Sequence, residues 1–252
     1  MLDSSFYKQH LLSYNVVKGG ELMEAIMETL QRFLHFPITQ LPYIIIALLI
    51  AFTVHEYSHA YMAYKFGDPT AKNQGRLTLN PAAHLDIVGT IMIFLAGFGW
   101  AKPVPVNYFL LKNKRYAGVL ISIAGPLSNL LVATVFMGIQ YALIKIGIFN
   151  YLGENILLPL FNAFFMIISL NIILFIFNLL PIPPLDGYRI IEDLAPADIR
   201  PQLVRLEQYG IFIFLLLIIT PIGDYVFDPL FSKFHPFILE SLSAFFAFIF
   251  QI

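Results

Sequence analysis

The chain alternates long apolar runs with short polar breaks, and four of the runs reach the length of a membrane span. A helix needs about 20 largely apolar residues to cross the hydrocarbon of a bilayer. Residues 41–63, 117–144, 156–180 and 209–227 meet that requirement. Two further stretches are apolar but short. One is "DIVGTIMIFLAGFGW" at 86–100, rich in glycine; the other is the tail "FILESLSAFFAFIFQI" at 237–252, which reads equally as a last span or as a helix packed on the bundle. Ahead of them, Leu22, Met23, Ile26, Met27, Leu30, Phe33 and Leu34 share one helical stripe, while Glu21, Glu24, Glu28 and Arg32 lie largely elsewhere. This spacing predicts an amphipathic helix over 21–36, lying on the membrane or against protein and interrupted by Pro37 and Pro42.

Composition turns these runs into a class. Of 252 residues, 58% are hydrophobic and 12% charged, against about 45–50% and about 25% in an ordinary globular chain. A soluble domain of this length needs more charged surface, so the fold class expected is an all-α polytopic membrane protein. The net charge of −1 gives no sign of a nucleic-acid binder or an acidic tail. The chain has no Cys, which removes disulfides, thiolate ligands and a Cys nucleophile together. Its first residues, "MLDSSFYKQHLLSYNVVKGG", lack the apolar core and small-residue cleavage site of a signal peptide, so the N-terminus is expected to be retained.

Charge placement bears on residues 86–100. If that stretch enters the membrane and returns, Lys65, Lys72, Arg76, Lys102, Lys112, Lys114, Arg115, Arg189, Arg200 and Arg205 share one side, opposite Lys8, Lys18, Arg32, Lys145 and Lys233. If it spans, the basic loops on either side of it separate. The positive-inside rule favours the first arrangement, with the larger group cytoplasmic. The expectation is a helix bundle with a re-entrant, partly extended segment around 86–110. Irregular backbone at membrane depth is tolerated only where protein or water surrounds it.

The first apolar run carries "HEYSH" at 55–59. Residues four apart share a helical face, so His55 and His59 can grip one Zn²⁺, with Glu56 beside them to take a proton from water. The bare pattern occurs by chance, but ionisable groups inside a membrane segment are expensive and seldom lack a task. A catalytic zinc takes three protein ligands and keeps one position open. Asp186, in "NLLPIPPLDGYR" at 178–189, is the best third candidate, held on an irregular segment at the end of the third run; a plain turn residue before Gly187 is the alternative. The other histidines are His10, His35, His84 and His235.

Together "HEYSH" at 55–59, "GPLSN" at 125–129 and "NLLPIPPLDG" at 178–187 resemble the site-2 proteases, the intramembrane zinc metalloprotease family. "GRLTLNPAAHLDIVGT" at 75–90 and "GWAKPVPVN" at 99–107 are similar to its compact bacterial branch. The resemblance covers roughly residues 41–190. It implies His55, His59 and Asp186 as ligands of one zinc ion, Glu56 as general base and proton donor, and Asn129 as a group steadying the substrate or its oxyanion. An interhelical hydrogen bond is the plainer role for Asn129. No stretch has the length or composition of an inserted PDZ domain or a C-terminal nucleotide-sensing domain. Tyr188 stands where many members have a second glycine. His84 is expected to serve a turn or to support the ligands, with a ligand role behind that.

The expected function is hydrolysis of a peptide bond within or next to a transmembrane segment of another membrane protein, by an enzyme of the bacterial inner membrane whose site lies nearer the cytoplasm. Its partners are that substrate and the lipid bilayer, with no nucleic acid. A polytopic zinc-binding or transport protein would explain the ligands but leave Glu56 without a task. The alternating Val104, Val106 and Tyr108 suit an edge strand for an unwound substrate, or an ordinary loop. The expected organisation is an N-terminal segment over 1–40, a catalytic transmembrane core over 41–190, and C-terminal membrane helices over 191–252.

Overall fold

A computed structural model describes residues 34–97 and 99–252, together with 27 and 30–32. Most of the amphipathic helix expected over 21–36 therefore lies outside the described residues. The chain divides into two compact units, residues 43–85 with 101–252, and residues 1–42 with 86–100.

The larger unit is a helical bundle. Its helices are α1 (Leu41–Lys65, whose first two residues belong to the smaller unit), α3 (Lys114–Lys145), α4 (Glu154–Asn178), α5 (Asp186–Leu194), α6 (Arg200–Glu207), α7 (Gly210–Ile219) and α8 (Ile222–Phe250). Four helices among the described residues are long and apolar enough to cross a membrane: Ile38–Lys65, Lys114–Lys145, Glu154–Asn178 and Ile222–Phe250. The protein is thus a multi-pass integral membrane protein. Ala133 and Met137 of α3 pack on Phe164, Ile168, Ile172 and Ile176 of α4, with Phe231, Leu239 and Phe246 of α8 against them. Ala47, Val132 and Ile167 join α1 to the same pair. Alanine at the close approaches lets backbones come together where lipid supplies no hydrophobic drive.

The smaller unit is built around α2 (Ile87–Ala96), started by Asp86, whose side chain accepts from Gly89 N, and closed by Gly97 at φ 76°. At 1.5 Å per residue its 10 residues cover about half of a 30 Å hydrocarbon layer. The His35 N–H donates to the Phe94 carbonyl at 2.8 Å.

Two expectations need correcting. The run 209–227 is not one helix: Thr220 turns extended (φ −101°, ψ 155°) and Pro221 opens the next helix. Residues 237–252 are accordingly no separate element, because α8 runs unbroken from Ile222 to Phe250. Residues 100–111 form no strand; an isolated antiparallel bridge, Leu85 with Ala101, is the one β pairing among the described residues.

Candidate metal centre

α1 brings His55, Glu56 and His59 to one end of the bundle, each less than a tenth exposed. The third residue arrives by a different route. α4 ends at Asn178, Pro181 to Leu185 follow an irregular path, and Asp186 is the first residue of α5. A β-carbon at Gly187 would stand 2.3 Å from the Leu179 carbonyl oxygen, so only glycine lets the chain double back there. His55, His59 and Asp186 converge as the sequence predicts, their ligand atoms within 4.8 Å of one another.

Hydrogen bonds fix which nitrogen of each imidazole faces the site. His59 Nδ1 lies 2.7 Å from the Ile121 carbonyl, which can only accept, so Nδ1 carries a proton and Nε2 is turned to the site. Asn129 Nδ2 faces two oxygens, Ala51 O at 3.2 Å and Asn171 Oδ1 at 2.9 Å. That orients the Asn129 amide with Oδ1 toward His55 Nδ1, at 2.7 Å. His55 therefore donates from Nδ1 and turns Nε2 to the site.

The two Nε2 atoms are 3.0 Å apart, and Asp186 Oδ2 is 3.2 Å from one and 3.3 Å from the other. With both rings neutral, as zinc ligands must be, two lone pairs and a buried carboxylate oxygen with no hydrogen-bond donor repel at this range. A cation removes the repulsion. Tetrahedral zinc with bonds of about 2.0 Å sets its ligands about 3.3 Å apart, so the residues fit the ion. Each histidine has its other nitrogen held, the arrangement that orients metal-binding imidazoles.

Gly125 faces this site from α3. A β-carbon there would lie 2.3 Å from His59 Nε2 and 2.6 Å from His55 Cε1. Its neighbour Pro126 sits inside the helix and withdraws an N–H from the ladder. Glu56 Oε2 accepts the backbone N–H of Val104 at 3.0 Å. His84 stays out of the centre: fully buried, it bonds through Nε2 to the Thr78 carbonyl at 2.7 Å, serving its own turn. Sequence reasoning missed Asn171, Gly125 as a contact, and the Val104 N–H; the "GPLSN" pattern pointed at Gly125 without saying what it touches.

No solved structure matches the chain. A relative from Bacillus subtilis (strain 168), named "Putative zinc metalloprotease YwhC", is 51% identical over 86% of this chain and 98% of its own length. Proteins named "Putative zinc metalloprotease Rip2" from Mycolicibacterium smegmatis and Mycobacterium tuberculosis are 27% and 28% identical, each over 81% of this chain and 76% of their own length. Residues 43–221, from α1 through α7, match Peptidase family M50, and the protein belongs to that family of zinc metalloproteases.

Proposed function

We propose that this zinc metalloprotease hydrolyses a peptide bond within or next to a transmembrane segment of another membrane protein. The observation that carries the reading is a buried His55–His59–Asp186 centre whose two histidines, with Glu56 between them, sit on a helix long and apolar enough to span a bilayer. A soluble peptide has poor access to such a place, whereas a membrane segment is already at that depth. Counted from the end of α1 at Lys65, His59 and His55 lie about 9 and about 15 Å along the helix.

His55, His59 and Asp186 would hold the zinc ion, which when bound would supply a Lewis acid for the scissile carbonyl and for water. Glu56 accepts the proton of the attacking water and returns it to the leaving nitrogen. Asn129 acts through His55. Its oxygen accepts from the ring, and its amide nitrogen donates to Ala51 and Asn171, which leaves no free donor for an oxyanion.

The site lies toward the cytoplasm of a bacterial inner membrane. The Lys112 N–H donates to the Phe66 carbonyl at 2.9 Å, so the end of α1 and the start of α3 share one end of the bundle. α4 returns to that same end, which gathers the larger group of basic residues there.

Purified wild type and Glu56→Gln, reconstituted in liposomes with a panel of single-span bacterial membrane proteins, test the function. Zinc in both and cleavage by wild type alone supports it. Equal cleavage overturns it, and zinc in both with no cleavage of any panel member points to a zinc-binding or transport protein.

A further inference from the structure

We infer that Arg76 is a positioning residue for catalysis, anchoring the segment 102–104 whose backbone N–H holds the Glu56 carboxylate. The inference rests on the proteolytic reading above and concerns a residue outside the metal-binding motifs.

Arg76 follows Gly75, which takes φ 70°, and its backbone N–H donates to the Ala71 carbonyl at 2.8 Å. The residue is only 6% exposed. A buried guanidinium is costly unless it is paired, yet among the described residues no carboxylate forms an ion pair with it. Its Nε–H is buried without a partner. Its Nη2 donates to the Lys102 carbonyl. Burial lowers its pKa, and the charge opposing that shift is Glu56.

Lys102 is held from both sides, because its own N–H donates to the His84 carbonyl at 2.8 Å. Pro103 and Pro105 lock φ on either side of Val104. The direction of the Val104 N–H therefore follows from where Lys102 is fixed. That N–H reaches Glu56 Oε2 at 3.0 Å, while the Val104 side chain packs against Ala60 and Ala71. The far end is tied as well: the Asn107 N–H donates to Asp68 Oδ2 at 2.6 Å. The guanidinium charge and the Glu56 carboxylate also attract one another.

The test uses the full-length, zinc-loaded protein in liposomes. Its substrate is a quenched fluorescent transmembrane peptide that wild type cleaves and Glu56→Gln does not. Arg76→Gln is expected to lose about 10²-fold in kcat, the scale of a misplaced catalytic group, with KM and bound zinc little changed. Hydrogen exchange of the peptide covering 101–107 should accelerate in Arg76→Gln, and Arg76→Lys should fall between it and wild type in both readouts. Millimolar guanidinium should restore part of the activity of Arg76→Ala. Unchanged exchange over 101–107 in Arg76→Gln overturns the inference, and so does accelerated exchange with kcat intact. If Arg76→Gln fails to fold, Arg76→Lys decides by the same two measurements, with wild-type values in both overturning the inference. If wild type cleaves no peptide, the proteolytic reading is what has failed, and exchange over 101–107 still decides whether Arg76 anchors the segment.

Discussion

Asn129 Oδ1 stands 2.7 Å from His55 Nδ1, and behind it the amide nitrogen is committed to Ala51 O and to Asn171 Oδ1. Three membrane helices, α1, α3 and α4, thereby share in orienting one histidine of the candidate metal centre. Asn171 is itself held, donating to the Ile167 carbonyl at 2.8 Å.

Asn129→Ala is expected to weaken zinc binding by about 10–100-fold, the usual cost of losing the partner behind a ligating imidazole. Asn171→Ala should shift it in the same direction by less, since Asn129 keeps its bond to Ala51. Competitive titration with a zinc indicator measures both. Unchanged affinity with a loss in kcat alone would instead place Asn129 on the oxyanion.

What could be read beforehand depended on whether a property lay within one stretch of chain. The spans around α1, α3 and α4 were legible because hydropathy summed over more than 20 residues outweighs local detail. The run 209–227 misled because apolarity continues across Thr220 and Pro221, where the backbone does not. That His55 and His59 share a helical face was legible from their spacing, whereas the local sequence left Asp186 between a third member of their cluster and a plain turn residue, and it is the fold that brings it beside them. Asn171, Gly125 and Arg76 were not, because each acts across a separation that a single chain does not encode. The Val104 donor is a backbone atom, which leaves no mark in residue type at all.

Gly125→Ala tests the closeness of α3 to the ligands. In an open helix this change gains about 1 kcal/mol, but here the new carbon would lie 2.3 Å from His59 Nε2. The expected outcome is a protein of undiminished helicity that has lost most of its zinc. Circular dichroism and metal analysis on one preparation separate the two effects, and full zinc occupancy would contradict the geometry.

Val104 allows backbone and side chain to be tested apart. Val104→Ala removes packing on Ala60 and Ala71 but keeps the N–H that Glu56 accepts. Val104→Pro removes the N–H itself. Proline should lower kcat well below the alanine variant, with zinc content equal in the two. Equal activity would show that the Glu56 contact is not used in turnover.

Arg200 joins α6 to the acidic face of α5, the helix that begins with Asp186. Its Nη2 lies 2.8 Å from Asp193 Oδ1 and 3.7 Å from Glu192 Oε1, and the Tyr108 hydroxyl donates to Asp193 Oδ2 at 3.2 Å. Burial raises the pKa of both carboxyls, Glu207 and Asp193 raise Glu192 further, and Arg200 opposes both shifts. A folded-state pKa above the unfolded value means that the folded protein binds more protons through the intervening range. The stability these groups contribute is then fully present below the ordinary carboxylate range and is lost as pH rises through the raised values. Removing Arg200 raises them further, so the Tm deficit of Arg200→Ala against wild type should be wider at about pH 7.5 than at about pH 5. Both proteins are measured zinc-free, so that protonation of the metal ligands is common to the pair. A deficit that is the same at both pH values would mean that Arg200 holds α6 to α5 by packing rather than by charge.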